Sequence, residues 1–171
     1  MLSRQEILRL FELLNRELAK DAIKGELYLV GGAVMCLAFA ARPSTRDIDA
    51  TFLPTNKIRK AARRISIDEN VDEEWLNDSV KAYLSRQGNY EVFLELDNLK
   101  VFCATAEYLL AMKCLAMRIG EEFQDLDDIR YLLRNLGISH YENALKTISK
   151  YYPIEKFPPK TFYALEELLR H

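Results

Sequence analysis

No stretch of the 171 residues is apolar for the length that a membrane span needs. The first residues, MLSRQEILRLFELLNREL, mix charged and aliphatic side chains where a secretory leader would carry an uninterrupted apolar core. The expectation is a mature, cytoplasmic protein with no membrane partner. An excess of charge of one sign is also missing: 24 Lys and Arg stand against 26 Asp and Glu. No chain-wide basic field therefore points to nucleic acid, although a local basic patch is not excluded. Cysteine is scarce, and Cys36, Cys103 and Cys114 lie in apolar runs, odd in number and without metal-ligand spacing, as reduced, buried thiols do. His140 and His171 show no ligand spacing either. There is no internal repeat and no low-complexity linker. What is present is a chain 49% hydrophobic, long enough to bury a core as one domain or as a domain with an appendage.

Ser3 and Glu6 have capping-box spacing, and Ile7, Leu8, Leu10, Phe11, Leu14 and Leu18 recur at helical intervals, so residues 3–20 read as a helix. ELYLV reads as a strand that runs into Gly31 and Gly32, AVMCLAFAA as a short helix stopped near Pro43, and TRDIDATFL as a second strand ended by Pro54. TNKIRKAARRISI and DEEWLNDSVKAYLS read as helices. NYEVFLELDNLKVFCA reads as a hairpin that turns at Asp97-Asn98, with Tyr90, Val92, Leu94 and Leu96 on one face and Glu91, Phe93, Glu95 and Asp97 on the other. Helices follow over 105–120, over DLDDIRYLLRNLG, over SHYENALKTISKYYP with a second capping box at Ser139 and Glu142, and over 159–170. The fold class expected is α/β (α+β), a small mixed sheet with helices packed on it and a C-terminal helical extension.

Asp47 and Asp49 stand one residue apart in an otherwise apolar strand. Because side chains alternate, Asp47, Asp49 and Thr51 are expected on one side while Ile48, Ala50 and Phe52 face the core. Two carboxylates side by side repel each other, and a shared Mg²⁺ or a pair of ions relieves that repulsion. Gly31 and Gly32 lie where a strand gives way to a helix, a place that lets a phosphate approach the backbone. Each feature alone has a plainer explanation, a tight turn for the glycines and a solvated edge for the acids.

Strand, Gly-Gly, short helix and Asp-x-Asp together, in VGGAVMCLAFAARPSTRDIDATF, resemble the DNA polymerase β-like nucleotidyltransferase superfamily. STRDID and LLAMKCLAMRIGEEFQDLDDIRYLL look most like the bacterial AbiEii-like and related minimal nucleotidyltransferases, some of which are toxins of toxin-antitoxin pairs. The resemblance covers residues 26–53 and 104–136 best. It implies a core over 1–103 and a helical extension over 104–171. It also implies transfer of NMP from an NTP, with Asp47 and Asp49 on Mg²⁺ and Gly31 and Gly32 against the triphosphate. The acceptor is left among a tRNA end, a protein hydroxyl and a small molecule, and a cognate antitoxin is a further expected partner. The superfamily usually adds a third carboxylate, for which Glu91, Glu95 and Asp97 are candidates and Glu95 is taken. A catalytically degenerate binding protein and a phosphohydrolase are the rival readings.

On the 105–120 helix, Lys113 falls among Ala106, Leu109, Leu110, Ala116 and Met117, away from Glu107, Arg118 and Glu121. A lysine there snorkels, pairs with a buried acid or projects into a site. The resemblance places Lys113 on nucleotide phosphates with Asp125 and Asp128 behind it, while Asp125 is equally suited to capping its helix and Asp127 points to solvent. Arg42 and Arg46 border the site, with Arg46 a nucleotide contact. The basic run Lys57–Arg64 either steers RNA or balances the acidic stretch that follows. Trp75 and Leu76 are expected in the core.

Overall fold

The computed structural model describes residues 1–118 and 124–170. The chain divides into two compact units, each described by itself. The first takes Met1–Ala82 and Tyr90–Ala104, and the second takes Tyr83–Asn89 and the chain from Thr105 onward. A segment from before the hairpin groups with the helical part.

In the first unit the leading strand β1 (Leu2–Ser3) runs into α1 (Arg4–Lys20), and Ser3 and Glu6 form the capping box that their spacing indicated. Then come β2 (Gly25–Val30), α2 (Gly32–Leu37), β3 (Ser44–Thr45), β4 (Ile48–Leu53), α3 (Thr55–Glu69), β5 (Leu76–Asn77), β6 (Tyr90–Glu95) and β7 (Leu99–Ala104). Five strands form one mixed sheet in the order β5-β4-β2-β7-β6, and β1 pairs with β3 in a separate two-stranded ribbon. The central strand β2 is antiparallel to β4 and parallel to β7.

Alternation gives this sheet two different faces. Leu27, Leu29, Ile48, Ala50, Phe52, Leu99, Val101 and Cys103 are buried, and Leu18 of α1 and Ile58 of α3 meet over Gly25 on that side. The other face carries Asp49 and Thr51, the stacked rings of Tyr28 and Phe102 at 4.7 Å, and Tyr90 edge-on to Tyr28 at 5.2 Å.

Four sequence expectations are corrected here. The helix after Gly32 stops at Leu37, and Ala40 in the following segment has φ 51, which no helix continues. The strand expected over TRDIDATFL is broken, so that Arg46 and Asp47 lie in a bend between β3 and β4. DEEWLNDSVKAYLS is not a helix: Leu76–Asn77 pairs in parallel with Ile48–Asp49, and Ser79–Tyr83 is a 3-10 turn. Trp75, fully buried, donates its indole N–H to Ala62 O at 3.0 Å, and that anchor outweighs local helical periodicity. Finally, a bulge between Val92 and Leu94 ends the strict alternation of β6, so Glu91 pairs with Cys103 on the core side and Glu95 with Lys100 on the opposite one.

The second unit holds α4 (Ala106–Leu115), α5 (Asp125–Asn135), α6 (Tyr141–Ile148) and α7 (Pro159–Leu168). The Tyr83–Asn89 segment is stitched to it by hydrogen bonds. Ser85 N–H donates to Tyr108 Oη at 3.0 Å, Ser85 Oγ–H to Tyr151 O, and Thr105 Oγ1–H to Asn89 Oδ1 at 2.7 Å. The capping box expected at Ser139 does not form: His140 is the N-cap of α6 and no side chain caps it. The helix expected over 105–120 ends at Leu115, with Ala116 as its C-cap, and the readings of Gly120, Glu121 and His171 lie outside the described residues. All three cysteines are buried and free, and burial pushes the Cys103 and Cys114 thiols up to about 12, which leaves them protonated and unreactive. No helix among the described residues is long and apolar enough to cross a membrane.

Candidate functional site

The first unit brings the glycine turn to Asp49. Val30, the last residue of β2, lies beside Asp49 in the antiparallel register, so the turn after Val30 reaches the acid strand at that row. Gly31 has φ 70 and ψ −151, a region closed to side-chain-bearing residues. A β-carbon at Gly31 would stand 3.1 Å from Asp49 Oδ2. At Gly32 a β-carbon would meet Arg42 Nη1 at 2.7 Å and Thr45 Oγ1 at 2.8 Å. The missing side chains therefore leave a backbone cradle flanked by a carboxylate, a guanidinium and a hydroxyl.

Asp47 and Asp49 are both half-buried, on either side of the fully buried Ile48. Thr45, itself buried, donates its hydroxyl to Asp47 O at 3.2 Å. Asn77 is the neighbour of Asp49 on β5, and its side chain is committed locally, accepting from Ser79 and donating to Glu74 O at 3.3 Å. Sequence reading named the glycines and the acids but passed over Thr45 and Asn77. STRDID placed Thr45 two residues before Asp47, whereas nothing local marks Asn77.

Arg46 is exposed, and Arg42 is the arginine against the glycine turn. Glu95 pairs with Lys100, Lys100 with Glu26, and Glu26 with Leu53. That row is four residues along β4 from Asp49, or about 13 Å, and Glu95 is three strands away, about 14 Å across. Its carboxylate sits 3.8 Å from Lys100 Nζ. Glu95 is thus not brought to the acid pair, and Glu91 and Asp97, both exposed, have no contact with it in the register. Among the described residues, no group of three or more His, Cys, Asp and Glu gathers in a metal-holding arrangement. The basic run on α3 is engaged with acids: Arg59 with Asp78 at 2.7 Å, Arg63 with Glu73 at 3.4 Å and Arg64 with Glu17 at 3.6 Å.

In the second unit Lys113 is tied between two buried acids, with Nζ 3.1 Å from Asp125 Oδ1 and 2.8 Å from Asp128 Oδ2. Asp125 also accepts from Arg118, through the backbone N–H and Nε–H, both at 3.0 Å. Burial by itself pushes the Asp125 carboxyl up, but the Arg118 hydrogen bonds and the Lys113 ammonium outweigh it and hold the group below the usual carboxylate range. Asp125 is the first residue of α5 rather than its cap, which is Gln124. Asp127 is exposed and pairs with Arg130 at 2.9 Å.

Residues 5–153 match the model of a family described as nucleotidyltransferase of unknown function (DUF6036). No curated protein matches the chain. No solved structure matches it either.

Proposed function

Because the chain belongs to that nucleotidyltransferase family, we propose that it transfers NMP from an NTP to an acceptor hydroxyl, at the cradle formed by Gly31, Gly32, Asp47 and Asp49. The observation that carries the reading is the approach of the Gly31 backbone to the Asp49 carboxylate, which sets a phosphate-accepting backbone beside a cation-seeking acid. In the reaction the acceptor oxygen attacks the α-phosphorus and loses its proton as the new P–O bond forms. The bond from that phosphorus to the bridging oxygen breaks, and pyrophosphate leaves.

The residues fit Mg²⁺. That ion keeps several waters and is usually held by one or two carboxylates together with substrate phosphates, not by an all-protein cage. Asp47 and Asp49 supply such a pair, and the nucleotide would complete the set. When bound, Mg²⁺ would neutralise phosphate charge and orient the nucleotide. The backbone at Gly31 and Gly32 admits the phosphates, and the Arg42 guanidinium adds positive charge there. Lys113, held by Asp125 and Asp128 in the second unit, is left out of this reading. Glu95 does not enter it.

Calorimetry of each NTP with Mg²⁺ tests the proposal, comparing the protein with the double variant Asp47→Asn, Asp49→Asn. Metal-dependent binding that disappears in the double variant supports it. Equal binding in both proteins would take the acid pair out of the nucleotide site, and no binding in either would leave a fold that does not act on nucleotides. For the transfer itself, label passing from an NTP to a component of a lysate, together with pyrophosphate, is the expected product pattern, and orthophosphate release would indicate hydrolysis instead.

A further inference from the structure

The residues at the start of the chain hold both ends of the segment that joins the glycine turn to the acid pair. At one end, Arg4 donates from Nη1 to the carbonyl of Leu37, the last residue of α2, and its guanidinium lies 5.8 Å from the centre of the Phe93 ring. At the other end, Leu2 and Ser3 pair with Thr45 and Ser44 in the two-stranded ribbon. Thr45 passes that restraint on, because its hydroxyl bonds Asp47 O and stands against Gly32.

Between these anchors, residues 38–43 have no regular secondary structure, and Ala40 sits at φ 51. A segment of that kind samples many conformations unless its ends are fixed. The acid pair depends on it. Asp47 lies outside β4, so the sheet ladder that holds Asp49 does not hold Asp47. Its carbonyl accepts from the hydroxyl of Thr45, whose strand partner is Leu2, and the peptide N–H that follows it, of Ile48, donates to Trp75 O at 2.8 Å.

We propose that Arg4, together with the Leu2–Ser3 strand, is a positioning element of the nucleotide site, which fixes the path of residues 38–47 so that Asp47 keeps its place beside Asp49 and the glycine turn. This rests on the reading of the acid pair as the metal-nucleotide site. Arg4 is a positioning residue. It acts through Leu37, at the end of the short helix that the glycine turn begins, and the ribbon acts through Thr45.

The test compares the protein with Arg4→Met, which keeps an aliphatic stem without a donor, and with Arg4→Lys, which restores one. Arg16→Met, on an exposed part of α1, is the control. Amide hydrogen exchange across residues 38–47 is read without ligand, and NTP affinity is read by calorimetry at fixed Mg²⁺. Arg4→Met is expected to speed exchange in that segment and to weaken NTP binding about tenfold, Arg4→Lys to recover most of both, and Arg16→Met to change neither. If Arg4→Met does not fold, Arg4→Lys carries the comparison, with exchange slightly faster than in the unaltered protein.

Unchanged exchange over 38–47 in both Arg4 variants overturns the positioning role, as does unchanged affinity in Arg4→Met when the unaltered protein binds NTP. If the unaltered protein binds no NTP, the functional reading fails, and the exchange measurement still judges the brace.

Discussion

Gly31 and Asp49 come together so closely that a single added methyl at Gly31 would stand 3.1 Å from the Asp49 carboxylate oxygen. The contact joins the end of the central strand to the strand beside it, so it is a property of the sheet register and not of either residue alone.

Gly31→Ala is expected to be damaging twice over. The backbone conformation there costs an alanine about 1–3 kcal/mol, and the new β-carbon presses on Asp49. Thermal unfolding reads the first effect and NTP affinity the second. A variant that melts earlier but binds normally would show that the cradle is not used.

Lys113→Met is expected to cost about 3–5 kcal/mol of stability, since it leaves Asp125 and Asp128 buried with their shared ammonium removed. Chemical denaturation measures this. Asp128→Asn in the same background is expected to restore part of the loss by removing one of the two buried carboxylate charges.

Stability is expected to fall in acid through Asp125. Its carboxyl titrates lower in the folded protein than the ordinary 3.8. The group therefore contributes fully above that value, and the contribution is lost as the pH falls from there through the folded value. Unfolding free energy measured from pH 6 down to pH 2 is expected to drop less steeply for Asp125→Asn, which is less stable at neutral pH and has no carboxylate to protonate there.

Trp75→Phe keeps most of the buried ring but removes the N–H that donates to Ala62 O. About 0.5–1.5 kcal/mol of destabilisation is expected from the lost hydrogen bond, since Ala62 O lies inside α3 and keeps its intrahelical donor, read by denaturation with tryptophan-independent circular dichroism, because this is the chain's one tryptophan.

Much of this was legible in local spacing. Ser3 and Glu6 announced the first helix, Gly31-Gly32 and Asp49 marked two features that the fold sets side by side, and the out-of-place Lys113 had pairing with a buried acid among its three readings. In each case the information lies within a few turns or a strand's length. The failures are long-range. Leu76–Asn77 is a strand only because Ile48–Asp49 lies alongside, and Trp75 is held by Ala62 on another element. Glu95 was grouped with Glu91 because strict alternation was carried through Phe93, where one extra residue moves everything after it to the opposite face. Thr45 and Arg4 act through Asp47 and Leu37, and only folding brings residues 4 and 37 together.

That extra residue at Phe93 has a consequence for how the molecule behaves in a crowd. β6 is the last strand of its sheet, and the outermost strand is where a sheet recruits strands from other molecules. Here the row of backbone donors and acceptors is interrupted at its middle, with exposed Glu91 before the break and exposed Glu95 after it. A second chain laid along this edge would lose register halfway. The irregularity that hides the facing of Glu95 from the sequence is of the kind that blunts an edge strand against pairing with other chains.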